Sequence, residues 1–193
     1  MIALTDQGGA VSLYQLKITL KESKPPIWRR VIVRADMPLV RFHKVIQLAM
    51  GWTDSHLHQF HAGQTRYVIP DREFPDMSEN ALNEKRYTVA DLAPAAKSKF
   101  VYEYDFGDSW YHEIVVEKVL PSDASFKHPV CLAGENACPP EDCGGIWGYY
   151  NLLETLKDPK HADHEEMKDW VGEWDPTCFD LDVTNSVLKR LKA

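Results

Sequence analysis

The sequence predicts an α+β fold: a β-grasp (ubiquitin-like) mixed sheet with one packed helix, followed by a Cys/Pro/Gly loop and a helical C-terminal extension. Three observations carry this expectation. Two segments of apolar–polar alternation open the chain, one helical-period apolar stripe follows, and two further strand-like segments flank a short acidic turn. The order β-β-α-β-turn-β-β is that of a ubiquitin-like sheet with one helix laid across it, an analogy of fold alone. A hydrophobic content of 44% in 193 residues suffices for one core.

Residues 1–11 read as a flexible N-terminal tail, with neither a basic n-region nor an apolar h-region. Tyr14 to Leu20 alternates as a half-buried strand does, and Ile27 to Arg34 resumes the alternation after Lys24-Pro25-Pro26. Prolines lack the amide donor a ladder needs, so the pair reads as a hairpin. Asp36-Met37-Pro38 opens a helix in which Leu39, Phe42, Val45, Ile46, Ala49 and Met50 share a face, and Gly51 ends it. From His56 to Ile69 the pattern is extended, with His56, His58 and Phe60 on one face. Residues 70–86 read as an exposed loop, and Tyr87 to Leu92 as a helical turn.

Phe100 to Tyr104 and Trp110 to Leu120 are predicted strands around the turn Asp105-Phe106-Gly107-Asp108. Residues 12–120 thus form the β-grasp-like core, and 121–193 a loop plus helical subdomain packed on it. In that second part a loop over 129–145 precedes helices at Ile146–Leu156 and Asp163–Val171. A last helix is capped by Asp182, with Val183, Val187, Leu188 and Leu191 facing inward.

Charge is segregated. Tyr14 to Met50 carries eight Lys/Arg against two Asp/Glu, whereas Cys131 to Asp182 carries three against thirteen. Such segregation speaks to association rather than to fold. No apolar run approaches the ~18 to 20 residues a membrane-spanning helix needs. The expected location is cytoplasmic, with the four cysteines reduced.

Four segments together resemble a known family: Lys24 to Arg30, Ala49 to His58, Tyr102 to Trp110, and Cys138-Pro139-Pro140-Glu141-Asp142-Cys143-Gly144-Gly145. In this order they are similar to the plasmid pRiA4b open-reading-frame-three-like family, whose members are also labelled insertion-element passenger proteins. The resemblance covers about residues 12 to 190. It implies association with plasmids or mobile elements, and brings no agreed activity or catalytic residue. The resolvase label some members carry implies a serine set among arginines, and no such constellation surrounds Ser12 or Ser23.

The residues themselves offer several candidate sites. Asp105, Asp108 and His112 are the materials of metal-dependent hydrolysis, as a hydrolase or nuclease would use them, although aspartates also serve a Phe-Gly turn structurally. Cys131, Cys138 and Cys143 with His112, His128 or Cys178 could form a structural zinc site. A packed loop of reduced thiols and a redox pair are the alternatives. His56 and His58, two apart, could chelate a metal or simply hydrogen-bond, with His61 on the opposite face. Trp28, Trp52, Trp110, Tyr111, Trp147, Tyr149 and Tyr150, with Arg29, Arg30, Arg34, Arg41 and Lys44, could stack and neutralise nucleic acid, against a pI of 5.6.

Phosphate-cradling, dinucleotide and esterase glycine motifs are absent, as is H-E-x-x-H. The function expected is a binding module with an unknown protein partner. A metal-dependent hydrolase or nuclease is the alternative, and a DNA-binding accessory of a mobile element the second.

Overall fold

The computed structural model describes residues 11–70 and 78–191. The expected tail lies outside these apart from Val11, as do residues 71–77 of the expected loop. β1 (Leu13–Leu20) and β2 (Trp28–Arg34) form the first hairpin, across a turn containing a cis Lys24–Pro25 bond. Helix α1 (Leu39–Met50) leads to β3 (His58–Ala62), β4 (Thr65–Val68), the short β5 (Leu82–Asn83) and the four-residue helix α2 (Val89–Leu92). Then come β6 (Lys99–Tyr104), β7 (Trp110–Leu120), β8 (Val130–Glu135), α3 (Gly145–Lys157), α4 (His164–Val171) and α5 (Leu181–Leu188).

The result is an α+β architecture on one eight-stranded mixed sheet, ordered β5-β4-β3-β6-β7-β1-β2-β8. Every neighbouring pair is antiparallel except β4 and β5. Alternation in sequence becomes two faces of the sheet. Leu16, Ile18, Val31, Val33, Phe60, Phe100, Tyr102 and Ile114 point inward and are buried, beneath Leu39, Phe42, Val45, Ile46 and Ala49 of α1. Fully burying a side chain of this kind contributes about 1.5–3 kcal/mol, so α1 is held by its stripe rather than by its intrinsic helicity. Gly51 ends α1 in the left-handed region at φ 101° and donates to Gln47 O. The opposite sheet face is polar, with Gln15 and Arg30 bonded to Glu117.

The C-terminal part corrects three expectations. Residues 130–135 form a strand, not the start of a loop, and β8 extends the core sheet by pairing Val31 with Cys131. Alternation of Cys131 and Ala133 with Leu132 and Gly134 carries that signal, masked in the sequence by the prolines and glycines that follow. Helix α5 is capped by Asp180, whose side chain accepts from Val183 N, rather than by Asp182. Leu188 is buried and Leu191 packs against the core as expected, with Thr184 buried beside them, whereas Val183 is largely exposed. In the segment expected to be an exposed loop, Glu84 within the 3-10 turn Glu84–Arg86 is fully buried.

The outer edge of β8 is covered by α5. Asn185 accepts from Cys131 N at 2.8 Å and donates to Cys131 O at 2.9 Å, so one side-chain amide occupies the positions a further strand would take.

Candidate functional site

Three loops meet at one end of the sheet: residues 51–57 after α1, 105–109 between β6 and β7, and 136–144 after β8. Each contains an aspartate in the left-handed region, Asp54 at φ 61°, Asp105 at φ 55° and Asp142 at φ 59°. Aspartate tolerates this conformation better than most residues because its short side chain can satisfy nearby amides. Asp105 shows the mechanism, accepting from Gly107 N at 2.9 Å.

The first loop is fixed to the core by a closed circuit of hydrogen bonds. Asp54 N donates to Gln47 Oε1, Gln47 Nε2 to Tyr102 Oη, Tyr102 to His43 Nδ1, and His43 Nε2 to Asp54 Oδ1 at 2.6 Å. The direction of each bond follows from the unambiguous donors, so His43 carries its proton on Nε2. Burial, then the neighbouring His58 and Lys44, push His43 down to about 2, so the ring is neutral. His58 stacks on His43 with centroids 3.6 Å apart and turns its Nε2 to Glu84 Oε1 at 3.1 Å. Lys44 pairs with the other oxygen of Asp54.

The other two loops are stitched to the first. Glu141 accepts from Thr53 N, Thr53 Oγ1 and Tyr104 Oη, and Tyr104 Oη accepts from Ser55 N. Burial raises Glu141, but the bonds from Thr53 and Tyr104 and the charge of His56 outweigh it, leaving the carboxyl below its ordinary range. Burial and Glu141 push Tyr104 up to about 12, keeping it a donor. Trp52 Nε1 donates to Pro139 O, and Gly144 N donates to Asp108 Oδ2. Gly145, at φ 68°, lies so close to the Asp108 carbonyl that a Cβ would sit 2.6 Å from it.

Inside this frame His56, Asp105 and Asp142 converge. His56 Nε2 lies 3.1 Å from Asp142 Oδ1 and 3.7 Å from Asp105 Oδ2. All three ligand atoms fall within 4.8 Å of one another, and among the described residues this is the one group of three or more His, Cys, Asp or Glu that does so. The Nε2 atom is buried and misaligned for a hydrogen bond to Asp142 despite the short distance. Asp142 is 71% exposed and Asp105 11%, so the trio opens to solvent on one side.

The residues singled out from sequence are distributed otherwise. Asp105 is in the trio, Asp108 is a loop fastener, and His112 is fully buried beneath Trp52, with ring centroids 5.0 Å apart. Burial pushes His112 down to about 4. Asp105, Asp108 and His112 therefore form no common site, because His112 faces the sheet interior and the turn faces outward.

Cys131, Cys138, Cys143 and His112 do not converge either, nor do His128 and Cys178 join them. All four cysteines carry free thiols. Cys131 and Cys138 instead lie near the buried guanidinium of Arg29, a cation where a zinc ion would need anionic ligands. Burial raises all three buried or half-buried thiols, Cys143 to about 12. His56 and His58 part company, the first toward the aspartates and the second toward Glu84. His61 lies on the other sheet face beside Glu103 at 3.2 Å.

The expected cationic platform is dispersed as well. Arg29 is buried, donates to Trp28 O, Ala49 O and Glu135 O, and stacks on Phe179 at 4.2 Å. Arg30 is paired with Glu117, Arg34 with Asp36 and Lys44 with Asp54, and Arg41 sits on α1. Trp52, Trp110 and Tyr149 are core rings; Trp28 lies between Lys17 and Arg30 on the outer sheet face, Tyr150 is half-buried, and Tyr111 and Trp147 are exposed.

Asp142, Glu141, His43 and Glu84 were not singled out by sequence reasoning. The first two lie inside the Cys138–Gly145 segment, where density of acids between prolines and glycines was the available signal. Glu84, in a polar stretch, gave none.

Fold and site together define an α+β protein that builds a His/Asp pocket from loops at one end of a single sheet. The chain belongs to the plasmid pRiA4b ORF-3-like protein family, whose model matches residues 12–183. It is 39% identical over 185 residues to the uncharacterized protein y4hQ of Sinorhizobium fredii, spanning 94% of this chain and 93% of that one. The crystal structure of MM3350 from Methanosarcina mazei, a protein of unknown function, superposes with a TM-score of 0.77 at 33% identity, covering 89% of this chain and 97% of that one. No reaction is assignable from these relatives. Among the described residues no helix is long and apolar enough to cross a membrane.

Proposed function

We propose that the protein is a divalent-cation-binding module whose ion is held by His56 Nε2, Asp105 Oδ2 and Asp142 Oδ1. One observation carries this reading: three ligand atoms of metal-binding type lie within 4.8 Å of one another, on loops fastened by Glu141, Tyr104, Asp108 and the Gln47–Tyr102–His43–Asp54 circuit. An imidazole with two carboxylates suits Mn²⁺, which favours oxygen ligands, or the softer Zn²⁺, and needs none of the thiolates. Three protein ligands leave coordination positions for a further molecule.

The hydrolase alternative passes from Asp105, Asp108 and His112 to this trio. The β-grasp likeness of the core is supported by the hairpin–helix–strand order and by α1 crossing one sheet face; the antiparallel pairing of β1 with β7 is its departure from that pattern. A cytoplasmic location accords with four free thiols.

The test is Mn²⁺ titration of metal-stripped protein by calorimetry and electron paramagnetic resonance. One ion per chain is expected, with affinity reduced by about 100-fold in His56→Ala and Asp105→Asn. Equal uptake by wild type and the double variant, or none by wild type, overturns the reading.

A further inference from the structure

A cleft of about 280 Å³ lies beside the trio, between α1, the loop after it, and the ends of β3 and β4. His56 belongs to both, and Phe106, next to Asp105 in the chain, forms part of the cleft wall. Val40, Leu57, Val68, Ile69 and Phe106 make the wall predominantly apolar. The polar groups gather at the histidines and the Lys44–Asp54 pair. An apolar chamber with a few convergent polar groups is the usual form of a small-molecule site, and about 280 Å³ lies just below the usual range of about 300–1,000 Å³, which restricts the occupant to a small molecule.

We infer that this cleft binds a small organic molecule with an aromatic or branched apolar body and one oxygen-donor head carrying at most a single negative charge. The inference rests on the cation reading above. The head would take an open position on the ion beside His56, and the body would lie against Val40, Leu57 and Phe106.

Charge sets the limit on the head. The Lys44–Asp54 pair is neutral, and a divalent ion balances Asp105 and Asp142, so the cleft presents no net positive field. Glu141 adds a negative charge close to His56. A monocarboxylate or a neutral carbonyl can coordinate without a large repulsion, whereas a phosphate dianion brings a second charge into a partly desolvated space. The body is selected by shape and apolarity, which contribute in proportion to the area removed from water.

The experiment uses full-length protein with Mn²⁺ and 3-phenylpropionate as the probe, read by proton relaxation. Phenyl phosphate tests the charge limit and 3-phenylpropylamine tests the head. Bound Mn²⁺ should relax the protons nearest the carboxylate more strongly than those of the ring. Val40→Phe, which fills the cleft and replaces no ion ligand, should weaken the probe by about tenfold while Mn²⁺ uptake stays unchanged.

Mn²⁺ uptake without protein-dependent relaxation of the probe, or a Val40→Phe protein that binds it equally well, overturns the cleft inference and leaves the cation reading standing. Preference for phenyl phosphate, or equal binding of the amine, overturns the assignment of the head. Absence of Mn²⁺ uptake overturns both readings.

Discussion

Replacing His112 by leucine should make the protein less sensitive to acid. His112 is fully buried, and burial, outweighing the backbone groups of Tyr102 and Trp110 that favour its protonated form, lowers it from 6.5 to about 4. The unfolded chain therefore takes up a proton at this position in a pH range where the folded protein does not. Stability from a depressed group is present above the unfolded value of 6.5 and is lost as pH falls through the window from 6.5 to about 4. At 1.36 kcal/mol per pH unit, the full loss is about 3 kcal/mol, of which about 2 kcal/mol has gone by pH 5.

Leucine is close to histidine in volume and cannot titrate. Urea melts of both proteins between pH 7.5 and pH 5 should show the wild type losing about 2 kcal/mol more than His112→Leu over that interval. Any repacking cost in the variant is the same at both pH values and drops out of the comparison. His43, also buried and neutral, contributes equally to both proteins. Parallel curves would refute the reasoning, since they would mean that the buried ring is protonated or solvated in the folded state.

Other parts of the structure give equally definite expectations. Tyr104→Phe removes the donor to Glu141 and the acceptor for Ser55 N; it should cost about 1–3 kcal/mol in chemical melts and weaken Mn²⁺ binding through loosened loops. Gly148→Ala places a Cβ 1.8 Å from the Cys143 carbonyl, so it should destabilise by about 1–3 kcal/mol and speed amide exchange in residues 138–145. Arg29→Lys keeps the charge but cannot span Trp28 O, Ala49 O and Glu135 O or stack on Phe179, and should cost about 2 kcal/mol or more by thermal melt.

The parts of the fold that the sequence declared are those governed by local periodicity. Leu39 to Met50 shows its stripe at helical spacing, and Ile27 to Arg34 its alternation, because a single apolar surface has to be buried in each. Strand β8 was harder to see, since Pro129 and the Pro139-Pro140 pair gave its neighbourhood the look of a loop. The site divides in the same way. Asp105 and His56 stood out by residue type and setting. Asp142 joins them only because loops distant in sequence are drawn together by Glu141, Tyr104 and Asp108. Convergence of that kind is set by tertiary contacts and leaves no periodic trace. His112 misled for the converse reason: proximity in sequence to Asp108 placed it beside the turn, while strand alternation sends its ring into the core.

The amide of Asn185 on Cys131 has a consequence for how copies of this protein meet. A free strand edge is a template onto which another chain can add, and the sheet's two margins are unequal in this respect. At one margin β5 offers two residues, too few to nucleate a long intermolecular ladder. At the other, the six-residue β8 is long enough, and Asn185 blocks it at Cys131, its second residue. The side chain acts as a stopper against runaway polymerisation, so crowding on its own should not drive the folded protein into strand-paired fibres.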